Sequence, residues 1–335
     1  MAGNNYFGVD FGGTNLRVGE VNPKTGALES DVFSMPMADI RSNHHLASIL
    51  TSMLPAGSKV GISAAGNVDE KNLLILESPN SPIKGVIDFA KELSMADCDV
   101  VLTNDMRAAV QAEARFGQGR RQDNVLVATY SSGYNCAVAR NGVNASSAEF
   151  GHQTYRPEGM FCGCGGQGHL EPYVSGNGAA SMAQQYLLMT RLWDHEIIDE
   201  ALMDLNAGRE EEQRINAPVS PEECPGVICS ITSKHVYKAF RKDPNGEPQK
   251  TIRETQAQAI AHSFGMMNSA FSPLDVIVCM GSQTKDWDLL FKPAIRRYER
   301  GDLQMPSLNK PDILKTNLPE IGVQGAVAYF LSQRK

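Results

Sequence analysis

Between Glu149 and Glu171 the chain reads EFGHQTYRPEGMFCGCGGQGHLE, and several of its most chemically versatile side chains sit in this stretch. Cys162-x-Cys164, His169 and the upstream His152 supply nitrogen and sulfur donors enough for a closed tetrahedral Zn²⁺ site. Two thiolates balance the ion's charge and two neutral imidazoles complete its shell. Glu149 and Glu171 bracket this knot, so a bound metal would hold them on a staple and not on a floppy loop. A structural zinc knuckle with surface carboxylates is the plainer reading of the same residues. Gly163 to Gly168 also spells G-x-G-x-x-G, but no strand precedes it and cysteines flank it, which excludes a dinucleotide fingerprint.

A second constellation is Asp10-Phe11-Gly12-Gly13-Thr14-Asn15. The glycines let backbone amides approach an anion, while Thr14 and Asn15 add side-chain donors. Asp10 brings a carboxylate to the same place, suited to Mg²⁺ held through water. A Gly-Gly hairpin is also an ordinary turn. A third is Asn104-Asp105, where a strand runs straight into a helix. Either residue suits the N-cap, and one suffices, which leaves the other available. Asn80 lies between prolines in a strand-to-helix loop, a common location for ligand contacts in α/β sheets.

The elements that position these groups follow from hydrophobic spacing. Strands are expected at 6–10, 16–21, up to about 37, 59–63, 73–76 and 100–103, with helices at 44–53, 86–93 and 106–116. The order is β-β-β-α-β-β-α-β-α. A Gly/Arg/Gln-rich connection at 117–123 marks a boundary. A second sheet begins at 124–129, turns at Ser131-Ser132-Gly133 and returns at 136–139, echoing the first hairpin and suggesting two related halves. Helices are expected over 178–207, 233–240 and 251–271, with an irregular, Pro-rich stretch at 209–229. A buried strand at 276–280 ends in Gly281-Ser282, 298–310 reads as loop, and 313–316 as an edge strand. A helix of small residues at 322–331 suits packing back on the first half. The chain thus divides into an N-terminal α/β domain at 1–117, joined by the C-terminal helix at 320–335, and a larger α/β domain at 118–319 carrying the metal motif.

Composition narrows the class. At 335 residues the chain is long enough for two cores, and 42% hydrophobic with 21% charged residues is ordinary for a globular protein. A net charge of −7 argues against nucleic-acid binding. No apolar run suits a membrane span, and no signal peptide is evident at the N-terminus. Seven scattered cysteines fit a reducing cytoplasm better than a disulfide framework.

In this order, essentially end to end, the motifs resemble the ROK family of sugar kinases within the actin-like, hexokinase-type ATPases. Asp10 to Asn15 is similar to the family's DxGGT hairpin, and Pro79-Asn80 to its PN loop. Asn104-Asp105, with the helix ending at Phe116-Gly117, resembles NDANAAA…G. Glu149-x-x-His152 and Cys162-x-Cys164-Gly165-x-x-Gly168-x-x-Glu171 resemble E-x-G-H and CxCGxxGCxE, the most specific signature of the set. The resemblance implies two actin-like, ribonuclease H-like α/β domains with a cleft between them. Asp105 would be the general base, and Asn80, Asn104, Asp105, Glu149, His152 and Glu171 would grip the sugar. ATP with Mg²⁺ would lie against Asp10, Gly12, Gly13, Thr14, Asn15, Ser132, Gly133 and Gly281. Structural Zn²⁺ would be held by His152, Cys162, Cys164 and His169, with His152 turning its second ring nitrogen to the sugar. A homodimer or homotetramer is also implied. The chain departs from the pattern at His169, where the family has cysteine, at Ser131 to Ala137 in place of GTGxGGG, and at Gly281-Ser282-Gln283 in place of a Gly-rich loop. Two rival readings are a sugar-responsive regulator, which would carry a helix-turn-helix ahead of the hairpin where only five residues precede the first strand, and a sugar-binding protein that no longer uses ATP.

Overall fold

The computed structural model describes residues 5–78, 83, 85–93, 97–215, 224–301, 303 and 307–334. Asn80 lies outside the described residues. The elements are β1 (Tyr6–Phe11), β2 (Asn15–Glu20), β3 (Phe33–Pro36), α1 (Asn43–Met53), β4 (Lys59–Ala64), β5 (Asn67–Asp69), β6 (Leu74–Glu77), β7 (Ile87–Asp88), α2 (Phe89–Glu92), β8 (Asp99–Asn104) and α3 (Asp105–Arg115). Then come β9 (Asn124–Tyr130), β10 (Tyr134–Arg140), β11 (Val143–Ala148), α4 (Glu171–Val174), α5 (Gly176–Thr190), α6 (Glu196–Asn206), α7 (Cys224–Cys229), α8 (Ser233–Lys242), α9 (Gln249–Phe271), β12 (Val276–Met280), α10 (Trp287–Glu299), β13 (Asp312–Lys315) and α11 (Ile321–Gln333).

Two five-stranded mixed sheets, ordered β3-β2-β1-β4-β8 and β11-β10-β9-β12-β13, repeat one plan, and a small sheet β5-β6-β7 stands apart. Period-two alternation decides which face goes where. In β9, Leu126, Ala128 and Tyr130 join the core under α5 and α9, while Val125 and Val127 turn to α3 with Met106, Ala109 and Val110. In β1 and β4, Val9, Phe11, Val60, Ile62 and Ala64 face Leu46 and Leu50 of α1 and Phe89 of α2. Each large aliphatic or aromatic side chain so buried contributes about 1.5–3 kcal/mol by leaving water.

The opposite face of the first sheet carries glycines. Gly8 pairs with Gly61 on β4 and with Gly19 on β2, so a bare strip crosses neighbouring strands. Helix α11 lies in it: a β-carbon at Gly8 would collide with the Val323 carbonyl, and one at Gly61 with the Ala326 carbonyl. On its other side α11 meets α3, where Gly325 fits against the Ala108 carbonyl. The layers therefore run first sheet, α11, α3, second sheet. Both chain crossings between the sheets meet at Glu113 on α3, which is buried and accepts from Thr316 Oγ1 and, at 2.7 Å, from the Gln118 N–H. Burial raises the pKa of this carboxyl.

Several expectations are corrected. The helix expected at 86–93 is confined to Phe89–Glu92, because Asp88 caps it by accepting from the Lys91 N–H and Ile87-Asp88 pairs with β6 instead. The helical pattern over 178–207 is two helices, broken where Arg191 adopts φ +55°. Cys224 to Cys229 is helical and not irregular. Helix α10 extends to Glu299, into the stretch read as loop. Among the described residues no helix is long and apolar enough to cross a membrane.

Replacing Gly61 with alanine should cost about 3 kcal/mol, the upper end of overpacking penalties, since the obstacle is backbone and cannot rotate away. Gly226→Ala on α7, with nothing within 4 Å of the added carbon, should be neutral or stabilising. Urea midpoints measure both, and equal midpoints would contradict the seating of α11.

Candidate active site

The hairpin β1–β2 turns through Gly12 to Thr14, closed by the Gly12 N–H on the Asn15 carbonyl at 3.1 Å. A β-carbon on Gly12 would stand 3.0 Å from that oxygen, so the tight turn suits glycine, and Thr14 is exposed at the tip. Asp10, at the end of β1, is roofed by Gly322 at the start of α11, where any larger residue would strike its carboxylate. Arg17 donates to Asp10 Oδ2 at 3.2 Å and lies 3.6 Å from Glu320, and Ser63 reaches Asp10 Oδ1 at 3.5 Å. Burial pushes the Asp10 pKa up to about 6, with Arg17 working against the rise and Glu320 adding to it.

Strand β8 ends where α3 begins, and this junction presents Asn104 and Asp105. Asn104 is the N-cap: its Oδ1 accepts from the Met106 N–H at 3.0 Å and its Nδ2 donates to the Gly66 carbonyl at 3.3 Å. Asp105 Oδ1 accepts the same N–H at 2.8 Å. Its carboxyl is raised to about 6 by burial, partly offset by that backbone bond and reinforced by the negative charges of Asp10 and Glu149. Both charges raise it, one from the first hairpin and one from the segment leading into the cysteine-histidine knot.

In that knot the donor atoms of His152, Cys162, Cys164 and His169 all lie within 4.8 Å of one another. His152 Nδ1 is 3.6 Å from Cys162 Sγ, and His169 Nδ1 is 3.3 Å from Cys164 Sγ. Tetrahedral zinc with arms of about 2.0–2.3 Å separates its ligands by about 3.3–3.8 Å, so the donor set fits the ion. A β-carbon on Gly166 would strike the His169 ring, so a glycine there lets that imidazole lie against the chain. His152 Nε2, the nitrogen turned from the cysteine, is 3.9 Å from Glu149 Oε2. Glu171 begins α4 and faces back, accepting from the Tyr134 N–H at 3.0 Å, with Cys162 Sγ 3.9 Å away.

That bond ties the knot to the second hairpin. Ser131 to Gly133 form its turn, with Ser132 exposed, and Gly133 leaves room for Glu171 Oε2, which would lie 3.1 Å from a β-carbon there. The turn is anchored from behind. The Gly176 N–H donates to the Ser131 carbonyl at 2.7 Å, and Gln283, wholly buried, donates to it at 3.1 Å and to the Val174 carbonyl at 2.9 Å. Gly281, at φ +98°, passes over the Tyr130 backbone where a side chain could not. The residues in place of the family's glycines do not crowd this turn: Cys136 and Ala137 are buried in opposite faces of the second sheet, and Asn135 turns to Glu149.

A cavity of about 880 Å³ is lined by Asn104, Asp105, Asn135 and Glu149 on one side and by 66–70 and Leu76 on the other; His152, Glu171 and the two hairpin turns are not part of its lining. Its far wall was not anticipated from sequence. Glu70 accepts from Thr103 Oγ1 at 2.7 Å, Arg107 at 2.9 Å and the Tyr329 hydroxyl at 2.9 Å, tying the small sheet to β8, α3 and α11. Arg107, two residues past Asp105 on α3, was the available signal. Gln283 was marked only as part of the Gly281-Ser282-Gln283 loop, and its anchoring of the second turn was not foreseen.

The family model that matches the chain is that of the ROK family, over residues 6–332. A glucokinase from Streptomyces coelicolor is 31% identical over 190 residues, which are 53% of this chain and 58% of that protein, so the match spans little more than half of that relative. A glucokinase from Thermotoga maritima is 26% identical over 334 residues, covering 96% of this chain and 95% of its own. In fold, a ROK family glucokinase from Streptomyces griseus in complex with glucose and AMPPNP superposes with a TM-score of 0.70 at 24% identity, covering 97% of this chain and 99% of that one. With the DxGGT-like hairpin, the Asn-Asp helix start and the cysteine-histidine knot in family order, the chain belongs to the ROK family.

Proposed function

We propose that the chain is an ATP-dependent sugar kinase, phosphorylating a hydroxyl of a hexose such as glucose or of an N-acylhexosamine such as N-acetylmannosamine. The observation that carries this reading is Asp105: a half-buried carboxylate at the start of α3, on the wall of the large cavity, with a pKa raised to about 6. Such a group is ionised at neutral pH yet basic enough to take a proton from an attacking hydroxyl, which suits a general base. Asn104 holds the helix start beside it, so a hydroxyl accepted by Asp105 meets a fixed oxygen. Glu149, His152 and Glu171 are the candidates to grip the other hydroxyls, with Asn80 as a further contact expected from the resemblance.

ATP, when bound, supplies the phosphoryl group, and Asp10 with the amides and side chains of Gly12, Gly13, Thr14, Asn15, Ser132 and Gly133 would hold its phosphates and Mg²⁺. Gly281 would lie on the nucleoside side. The two hairpins repeat one plan, as expected for two halves gripping one triphosphate. In this reading 1–117 with 320–335 forms one domain and 118–319 the other, and closing on substrate would keep water from the phosphoryl group. His152, Cys162, Cys164 and His169 would hold a structural zinc, which fixes the His152 tautomer so that Nε2 faces the sugar. None of the seven cysteines is in a disulfide, which suits a cytoplasmic enzyme, and assembly as a dimer or tetramer is the expectation from the family.

ADP release over a panel of neutral and N-acylated sugars tests the reading, and release above background with none of them would sink it. Asp105→Ala should lower kcat by about 10²–10⁴-fold while the fold persists. Since Asp105 must be ionised to act, kcat/KM should fall as pH drops through about 6, with a limb steeper than one proton if Asp10 titrates in the same range. A flat profile across that range would contradict the assignment. Elemental analysis should find one zinc per chain, and Cys162→Ser should lose it and raise the sugar KM. Metal loss with unchanged sugar KM would refute the role given to His152.

A further inference from the structure

We propose that Asn135 is a positioning residue that sets sugar affinity by holding Glu149 ready for its hydroxyl contact; the proposal rests on the sugar-kinase reading. Asn135 lies near the start of β10, just beyond the second turn, and lines the cavity with Glu149 and Asp105. Its Oδ1 accepts from the Cys136 N–H at 2.8 Å and from the Phe150 N–H at 3.3 Å. Only the oxygen of the amide can accept, so these two donors fix its orientation. The NH₂ group is then aimed at Glu149 Oε1, 3.2 Å away.

Glu149 needs such a partner. Its side chain is 79% exposed, and its other oxygen stands 3.9 Å from His152 Nε2. A mobile carboxylate loses rotamer freedom when it grips a ligand, and a donor that fixes it beforehand removes part of that cost. The neighbouring residue does the same for the second glutamate, since the Tyr134 N–H donates to Glu171 Oε2 at 3.0 Å. Successive residues of one strand thus set both carboxylates relative to the Ser131–Gly133 turn. The amide also brings its donor into a cavity wall otherwise rich in carboxylates, so it aligns Glu149 without adding charge.

Asn135→Asp separates this role from structure. The substituted carboxylate keeps an acceptor for the Cys136 and Phe150 N–H groups but turns a second acceptor toward Glu149. The sugar KM should rise about tenfold or more, the scale of a hydrogen bond to a charged group, with kcat within about twofold and thermal midpoint and ATP KM unchanged. In a Glu149→Gln background, whose amide can donate to the new carboxylate, the same substitution should no longer raise KM. An unchanged sugar KM for Asn135→Asp, or an equal rise with Glu149→Gln already present, would overturn the proposal. A wild-type chain that phosphorylates none of the sugars would sink the parent reading and this one with it.

Discussion

The seating of α11 on a bare strip of the first sheet is the contact on which the rest of the architecture depends. Side chains at Gly8 or Gly61 would lift the helix off the strands, because the atoms opposite are its own backbone. With α11 in place, α3 can pack against it through Gly325 and Ala108, and the second sheet can pack on α3. The helix that presents Asp105 is therefore clamped between the two halves of the molecule and not borne on the edge of one. The same contact brings Gly322 over Asp10, so the carboxylates proposed for metal and for proton transfer share one rigid support.

On the other side of the cavity the order comes from polar contacts across irregular chain. Between β11 and α4 the regular structure is a single turn of 3₁₀ helix at Phe150–His152, and the segment is held by buried Phe150 and Leu170 and by backbone bonds such as the Tyr155 N–H to the Gly168 carbonyl, around a donor cluster suited to zinc. Glu171 leaves the knot to brace the second turn, while Glu149 reaches toward the cavity and Asn135. Gln283 welds that turn to the end of α4 from behind. A carboxylate, a buried amide and the Gly176 N–H thereby anchor the Ser-Ser-Gly turn.

Much of this was legible because the signals were local. Short apolar runs gave β1, β4, β9 and β12, alternation gave β2, and the spacing Cys162-x-Cys164 with His169 and His152 gave a donor cluster that the chain does bring together. Asn104 and Asp105 were placed at a helix start, and the cap falls to Asn104. What escaped depends on distant partners. Strands β5 and β7 are too short to show a period, and β7 is defined by the pairing of Ile87 with Ile75 and of Asp88 with Leu74. The Glu70 cluster joins residues from β8, α3 and α11 that no window of sequence spans. Helix α10 contains Pro293, which masks its pattern.

The central claim is that one carboxylate on α3 and one imidazole on the metal knot face the same sugar across the cavity. A crystal structure with a phosphorylatable sugar and a non-hydrolysable ATP analogue tests it most directly. The account predicts a sugar hydroxyl within about 3 Å of the Asp105 carboxylate, with His152 Nε2 bonded to a second hydroxyl of the same ring. A sugar bound elsewhere, or in the cavity but out of reach of both side chains, would contradict it.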